Sequence, residues 1–204
     1  MTLQAYLKDP CGTLSIPYWK NKTVTVPPFM RIVHQRDYDA AALSAYADEP
    51  YFRLLHDLRE VAPAAFACRT AEGADLPLLA EIINRSYTDL SVTVEQLRGY
   101  RATAAFAANL WVISLNELGA PVGCGIADID PEVREGVLEW IQVLPEYRGR
   151  GVGQSIVNEL LRRMQGRADF ATVSGKVNNL TRPERLYRRC GFTGDDVWHV
   201  LTQR

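Results

Sequence analysis

The chain has 204 residues, a formal net charge of -1 and hydrophobic residues at 47%. That is enough apolar material for a real core, and a length that fits one large domain or one domain with a substantial extension. The balanced charge argues against a dedicated nucleic-acid or membrane-surface protein, whose footprint is basic.

The longest stretch without a charge, Ala102 to Asn116, is 15 residues, short of the roughly 20 that cross a bilayer. The opening MTLQAYLKDPCG lacks the basic and apolar regions of a signal peptide, so a cytoplasmic location is expected. Cys11, Cys68, Cys124 and Cys190 form no Cys-x-x-Cys pair and read as reduced thiols. His34, His56 and His199 have no metal-ligand spacing, so no metal is expected.

Residues 1–65 hold six of the eleven prolines and read as an N-terminal extension packed on a core domain spanning 66–204. Within the extension, Thr23–Val26 and Met30–Val33 read as short strands around Pro27-Pro28. Pro50–Glu60 reads as a short helix with Phe52, Leu55 and Leu58 on one face. Tyr18, Trp19, Tyr51, Phe52 and Arg53 are open to three readings, a wall of a binding cleft, a second hydrophobic patch or an oligomer contact. From Ala65 the pattern turns regular. Phe66–Thr70 reads as a strand, Asp75–Ser86 as a helix capped by Asp75, and Thr93–Arg101 as a second helix. Leu110–Leu115, Val122–Asp128 and Val137–Val143 follow as three strands, then a long helix from Gly151 to about Gln165. Phe170–Val177 is a strand, Pro183–Cys190 a helix and Asp196–Thr202 a last strand. The order predicts a mixed α/β layer structure.

The sharpest signal is the junction Val143-Leu-Pro-Glu-Tyr-Arg148-Gly-Arg-Gly151-Val-Gly153-Gln-Ser155, where an apolar strand ends and a glycine-rich turn opens a helix. The first amides of a helix lack internal partners and carry partial positive charge. Gly149, Gly151 and Gly153 let anionic oxygens approach the backbone. Arg148, Arg150 and the Ser155 hydroxyl can add hydrogen bonds. It is neither a Walker A loop nor the dinucleotide fingerprint, because the spacing is Arg-x-x-Gly-x-Gly. A glycine-rich helix start with solvated arginines is the competing reading.

Charge is segregated. Between Pro145 and Gly191 ten basic residues face four acidic ones, a net +6, and the remainder of the chain carries -7. A polyanionic ligand would be drawn to the first and a cationic one to the second.

This junction resembles the cofactor motif of the GNAT superfamily of acyl-CoA-dependent N-acetyltransferases, which Arg148-Gly-Arg-Gly151-Val-Gly153 matches in full. Leu138–Val143 with Pro145 and Tyr147 looks like the strand and loop that precede that motif. Asn178-Asn179, then Leu186-Tyr187 and Gly191-Phe192, resembles the family's second motif, with Thr181-Arg182-Pro183 as an inserted turn. The resemblance covers roughly residues 66–204. It implies a central mixed, mostly antiparallel twisted sheet flanked by helices, with a V-shaped cofactor cleft. It implies transfer of an acetyl group from acetyl-CoA directly to a primary amine of a small molecule or peptide, by a monomer or homodimer. A non-catalytic acyl-CoA-binding module is the alternative. By resemblance, Ile141, Val143, Arg148, Gly149, Arg150, Gly151, Val152, Gly153, Gln154, Ser155 and one of Asn178 and Asn179 contact coenzyme A. Tyr187 is the expected acid for the leaving thiolate, or else a buried tyrosine supporting Gly191-Phe192. Glu139 is the expected base, or else a structural ion pair; alternation along the strand puts Val137, Glu139, Ile141 and Val143 on one face. The Val143 N–H is the expected oxyanion donor.

Overall fold

The computed structural model describes residues 2–14, 26–87 and 90–204. The expected strand at Thr23–Val26, and Tyr18 and Trp19, fall outside or at the edge of these residues. The chain divides into two compact units, one of residues 1–56 with 172–204 and one of residues 57–171. No described helix is long and apolar enough to cross a membrane.

The first unit contains α1 (Leu3–Lys8), β1 (Met30–His34) and β2 (Tyr46–His56) from the N-terminal region. The C-terminal region adds most of β7 (Phe170–Lys176), α5 (Pro183–Arg189) and β8 (Thr193–Gln203). Strand order is β1-β8-β2-β7, and β8 runs antiparallel to both β1 and β2. The segment read as an extension therefore supplies two strands of a sheet whose other strands come from the far end of the chain.

Residues 50–56 are strand, not the expected helix. Phe52, Leu54 and His56 are buried in alternation, and the Tyr51–Trp198 and Phe52–Val197 register extends that alternation along β8. Phe52, Leu55 and Leu58 do have helical spacing, but an available pairing edge outweighs a three-residue apolar match. Phe52 seats on a glycine: a Cβ at Gly175 would lie 2.6 Å from its Cζ. It is a core residue rather than an acceptor wall, as it is 3% exposed. Arg53 donates to the Tyr6 hydroxyl at 3.1 Å, tying β2 to α1.

The second unit holds β3 (Cys68–Thr70), α2 (Leu76–Ser86), α3 (Val94–Tyr100), β4 (Phe106–Leu115), β5 (Pro121–Asp130), β6 (Glu135–Val143) and α4 (Val152–Met164). Its strands follow the order β6-β5-β4-β3, each pair antiparallel. One sheet face presents Trp111, Ile113, Cys124 and Ile126 to Leu79, Ile82, Ile83 and Leu97 of α2 and α3. The other face receives α4. There the sheet is glycine: Cβ atoms at Gly125 and Gly136 would lie 2.4 Å from Ile156 Cγ2 and from Met164 Sδ. Ile156, Leu160 and Met164 follow one helical ridge at i, i+4, i+8, so the ridge lies directly on the strand backbones.

Asp75 occupies the cap position of α2, but its carboxylate accepts from the Glu72 N–H at 2.8 Å and pairs with Arg69 at 2.6 Å. The Arg69 hydrogen bonds, aided by the Glu72 amide, hold its pKa down at about 2. A carboxyl whose folded pKa lies below its unfolded value stabilises at neutral pH and loses that contribution as pH falls toward the folded pKa. The stability gap between wild type and Asp75→Asn, measured by urea unfolding, is expected to be constant above about pH 5 and to close between about pH 4 and pH 2. Gly125→Ala is expected to cost at least about 1–3 kcal/mol in the same assay, because the added methyl overpacks against Ile156.

Candidate acyl-CoA site

β6 runs into a single turn of 3-10 helix at Pro145–Tyr147, then Arg148, then α4. Gly149 and Gly151 have φ of 75° and 85°, a left-handed conformation that costs other residues roughly 1–2 kcal/mol. A Cβ at either position would meet nothing within 4 Å, so backbone conformation and open space, rather than packing, select glycine there. Gly151 is the N-cap of α4 and offers no side chain to its first turn. Val152 and Gly153 therefore open the helix with amides that have no intrahelical acceptor. Gln154 follows in the same turn, half-buried.

The two arginines of the motif do different things. Arg150 is exposed and its guanidinium lies over the Tyr147 ring, 5.4 Å from the centroid. Arg148 turns back on the protein: Nη2 donates to the Ser86 carbonyl at 2.9 Å and Nε to the Val143 carbonyl at 3.3 Å. Ser155 also departs from its expected place. It is 2% exposed, and its hydroxyl accepts from the Phe66 N–H at 2.8 Å and faces the Phe66 carbonyl at 3.3 Å. The Ser155 hydroxyl anchors the segment before β3, and its own N–H is bonded to the Gly151 carbonyl.

Val143 pairs with Gly123 and Ile141 with Gly125. The Leu144 N–H donates to the Val122 carbonyl at 3.1 Å, which makes Val143–Gly123 a non-hydrogen-bonded pair, and Ile141–Gly125 shares its phase. Val143 and Ile141 thus direct N–H and C=O away from β5. The register then breaks: Ile126 pairs with Trp140 but Ala127 with Leu138. Glu139 is the extra residue of a β-bulge in β6. The bulge corrects the expected face: Val137 pairs with Asp128 on the side of Trp140 and Gln142, not with Ile141 and Val143.

Beside this edge lie Trp140, a core residue by its sequence, and two residues that the sequence does not single out, Tyr87 and Gln142. Gln142 donates to the Tyr87 hydroxyl at 2.9 Å, and the Tyr87 and Trp140 rings meet edge to face at 6.1 Å. The only sequence signal for Tyr87 and Gln142 is their position, one beyond the end of α2 and one next to Ile141.

In the first unit, Tyr187 lies on α5 and is 8% exposed, its ring 5.9 Å from Phe192 and 6.2 Å from Phe52. Gly191 has φ 93°, and a Cβ there would lie 2.9 Å from His56 Nε2, so this turn demands glycine twice over. Asn179 uses its side-chain oxygen on the Thr181 N–H and hydroxyl, closing the inserted turn, while Asn178 is exposed. Cys124 and Cys190 are pushed up to about 12 by burial and stay protonated, which fits transfer without a thioester on the enzyme. Among the described residues no cluster of three His, Cys, Asp or Glu is placed to hold a metal.

Residues 107–194 match the family model of the acetyltransferase (GNAT) domain. The fold is similar to a GCN5-related N-acetyltransferase from Sphaerobacter thermophilus, with TM-score 0.67 and 18% identity over 84% of this chain and 58% of that one. It is similar to a GNAT-family acetyltransferase from Colwellia psychrerythraea, with TM-score 0.64 and 13% identity over 85% of this chain and 64% of the other. The ribosomal-protein-S18-alanine N-acetyltransferase from Escherichia coli aligns with TM-score 0.52 and 16% identity over 66% of this chain and 90% of its own. The chain thus spans less than two thirds of the length of the first two structures. No curated protein sequence matches it. The match over residues 107–194 and the shared fold thus agree in giving this chain a GNAT-like acetyltransferase domain architecture.

Gly151→Ala is expected to lower unfolding stability by about 1–2 kcal/mol through its backbone alone. Gly153→Ala, inside the helix, is expected to lack that cost, and paired urea titrations compare them.

Proposed function

We propose that the protein transfers an acetyl group from acetyl-CoA directly to a primary amine of a small molecule or peptide, in the cytoplasm, as a monomer or homodimer. The observation that carries this reading is the uncapped start of α4 behind two left-handed glycines with open space above them. The amides of Gly149, Arg150, Gly151, Val152 and Gly153, with Gln154, would hold the pyrophosphate, and exposed Arg150 would add a mobile cation. The outward N–H and C=O groups of Ile141 and the outward N–H of Val143 would receive the amide-bearing arm of coenzyme A as an added strand receives its partner. Asn178 is the asparagine proposed to contact the cosubstrate, since Asn179 is engaged in its own turn.

In the reaction, the neutral amine nitrogen attacks the thioester carbon and a new C–N bond forms. Glu139, re-aimed by the bulge, takes the amine proton directly or through a water. The Val143 N–H donates to the oxygen as it becomes anionic. The C–S bond then breaks and the Tyr187 hydroxyl gives its proton to the departing thiolate, regaining one from solvent. Acetylated amine and free coenzyme A are the products.

Coenzyme A is expected to raise Tm in proportion to the logarithm of its concentration, and ATP at equal concentration to leave it unchanged. Thiol release across an amine panel then reads turnover. Tyr187→Phe is expected to lower kcat about 10²-fold with coenzyme A affinity unchanged. Binding without thiol release from any amine would favour the acyl-CoA-binding module, and stabilisation by ATP alone would overturn the assignment.

A further inference from the structure

We infer that the two arginines of the glycine loop divide binding from positioning: Arg150 meets the cosubstrate's phosphates, whereas Arg148 is a brace that fixes the acyl-transfer edge of β6. The inference rests on the acetyl-CoA reading above and refines which residues serve it.

The geometry of Arg148 carries it. A guanidinium has donors and no acceptor, in a rigid planar fork. Nη2 and Nε of Arg148 are both directed at backbone carbonyls, one at Ser86 on the last residue of α2 and one at Val143 on the last residue of β6. Helix C-termini carry partial negative charge and leave carbonyls unbonded, so a cation there has a favourable partner without any ligand. The Ser86 hydroxyl, 2.7 Å from the Ile82 carbonyl, also comes within 3.3 Å of the Val143 carbonyl. Helix end, strand end and loop are thus joined at one guanidinium, five residues beyond the Val143 amide that is proposed to meet the oxyanion. Arg85 adds a parallel link from the same helix turn, pairing with Glu146 of the 3-10 turn at 2.8 Å. Among the described residues Arg150 makes no comparable carbonyl fork; its guanidinium lies over the half-buried Tyr147 ring.

A brace and a phosphate ligand differ in what they feel. A brace acts on the rate whatever lies at the far end of the cosubstrate. A phosphate ligand matters only when the pyrophosphate is present. The test compares acetyl-CoA with S-acetylpantetheine, which keeps the thioester arm and lacks the nucleotide and its phosphates.

Arg148→Lys keeps the charge but cannot span two carbonyls. It is expected to lower kcat with both thioesters alike, about 10- to 100-fold, as small misplacements of reacting groups do, with coenzyme A affinity within about threefold of wild type. Arg150→Ala is expected to raise KM for acetyl-CoA alone and to leave S-acetylpantetheine turnover unchanged. Amide hydrogen exchange on the ligand-free protein gives a readout independent of turnover. Exchange across residues 143–148 is expected to quicken about tenfold in Arg148→Lys and not in Arg150→Ala. A loss confined to acetyl-CoA, or unchanged exchange in Arg148→Lys, would overturn the brace. If wild type turns over neither thioester, the acetyltransferase reading fails while the exchange result still decides the role of Arg148.

Discussion

The position of α4 on bare strand backbone is the constraint from which the candidate site follows. Gly123, Gly125 and Gly136 remove side chains from the helix-facing side of the sheet at the points where Ile156, Leu160 and Met164 descend. A helix seated so close cannot slide or tilt without driving a methyl into a peptide group. Its first turn is therefore fixed against the end of β6, and the loop between them is short enough to need two left-handed residues. The opposite face of the sheet is filled by Trp111 and Ile113 of β4 and Ile126 of β5, so the sheet is thick on one side and thin on the other. The geometry of the glycine loop follows from packing several residues away from it.

Charge looks different once the arginines are traced. The segment from Pro145 to Gly191 is basic by +6, but much of that excess is tied to the fold. Arg162 and Arg163 both bind Glu159, and Arg163 also reaches the carbonyls of Asn109 and Cys68. Arg167 bonds the Asn109 side chain, Lys176 pairs with Glu49, and Arg188 pairs with Glu184. Segregation of charge in sequence thus reflects, in good part, side chains fastened to the protein's own helices and strands.

The elements that the sequence made legible are those whose signal is local. The strand-to-helix junction, the amphipathic α2 and α4 and the Gly191-Phe192 turn each state their conformation within a dozen residues. β2 is not legible in its own segment because its partner, β8, lies far along the chain, and nothing near Pro50 announces an edge waiting there. The bulge at Glu139 was invisible for the same reason: register belongs to a pair of strands, and alternation in one of them says only what an unbroken ladder would do. Ser155 and Arg148 sit at the expected motif positions, yet Phe66, Ser86 and Val143 supply partners that no single-segment pattern could name. Tyr87 and Gln142 became visible only through their mutual hydrogen bond.

The β1-β8-β2 pairing also constrains how the protein comes into being. β2 ends at His56 and its partner β8 begins at Thr193. A ribosome adding about 5–20 residues per second needs roughly 7–30 s to cover that interval. Throughout it, an eleven-residue strand with Phe52 and Leu54 on its apolar side has no β8 to pair with. Residues 57–171, whose strand pairs are nearer in sequence, can close in the meantime. Newly made chains therefore pass through a window in which the β2 edge waits for the C-terminal strand, the kind of unpaired edge that invites association.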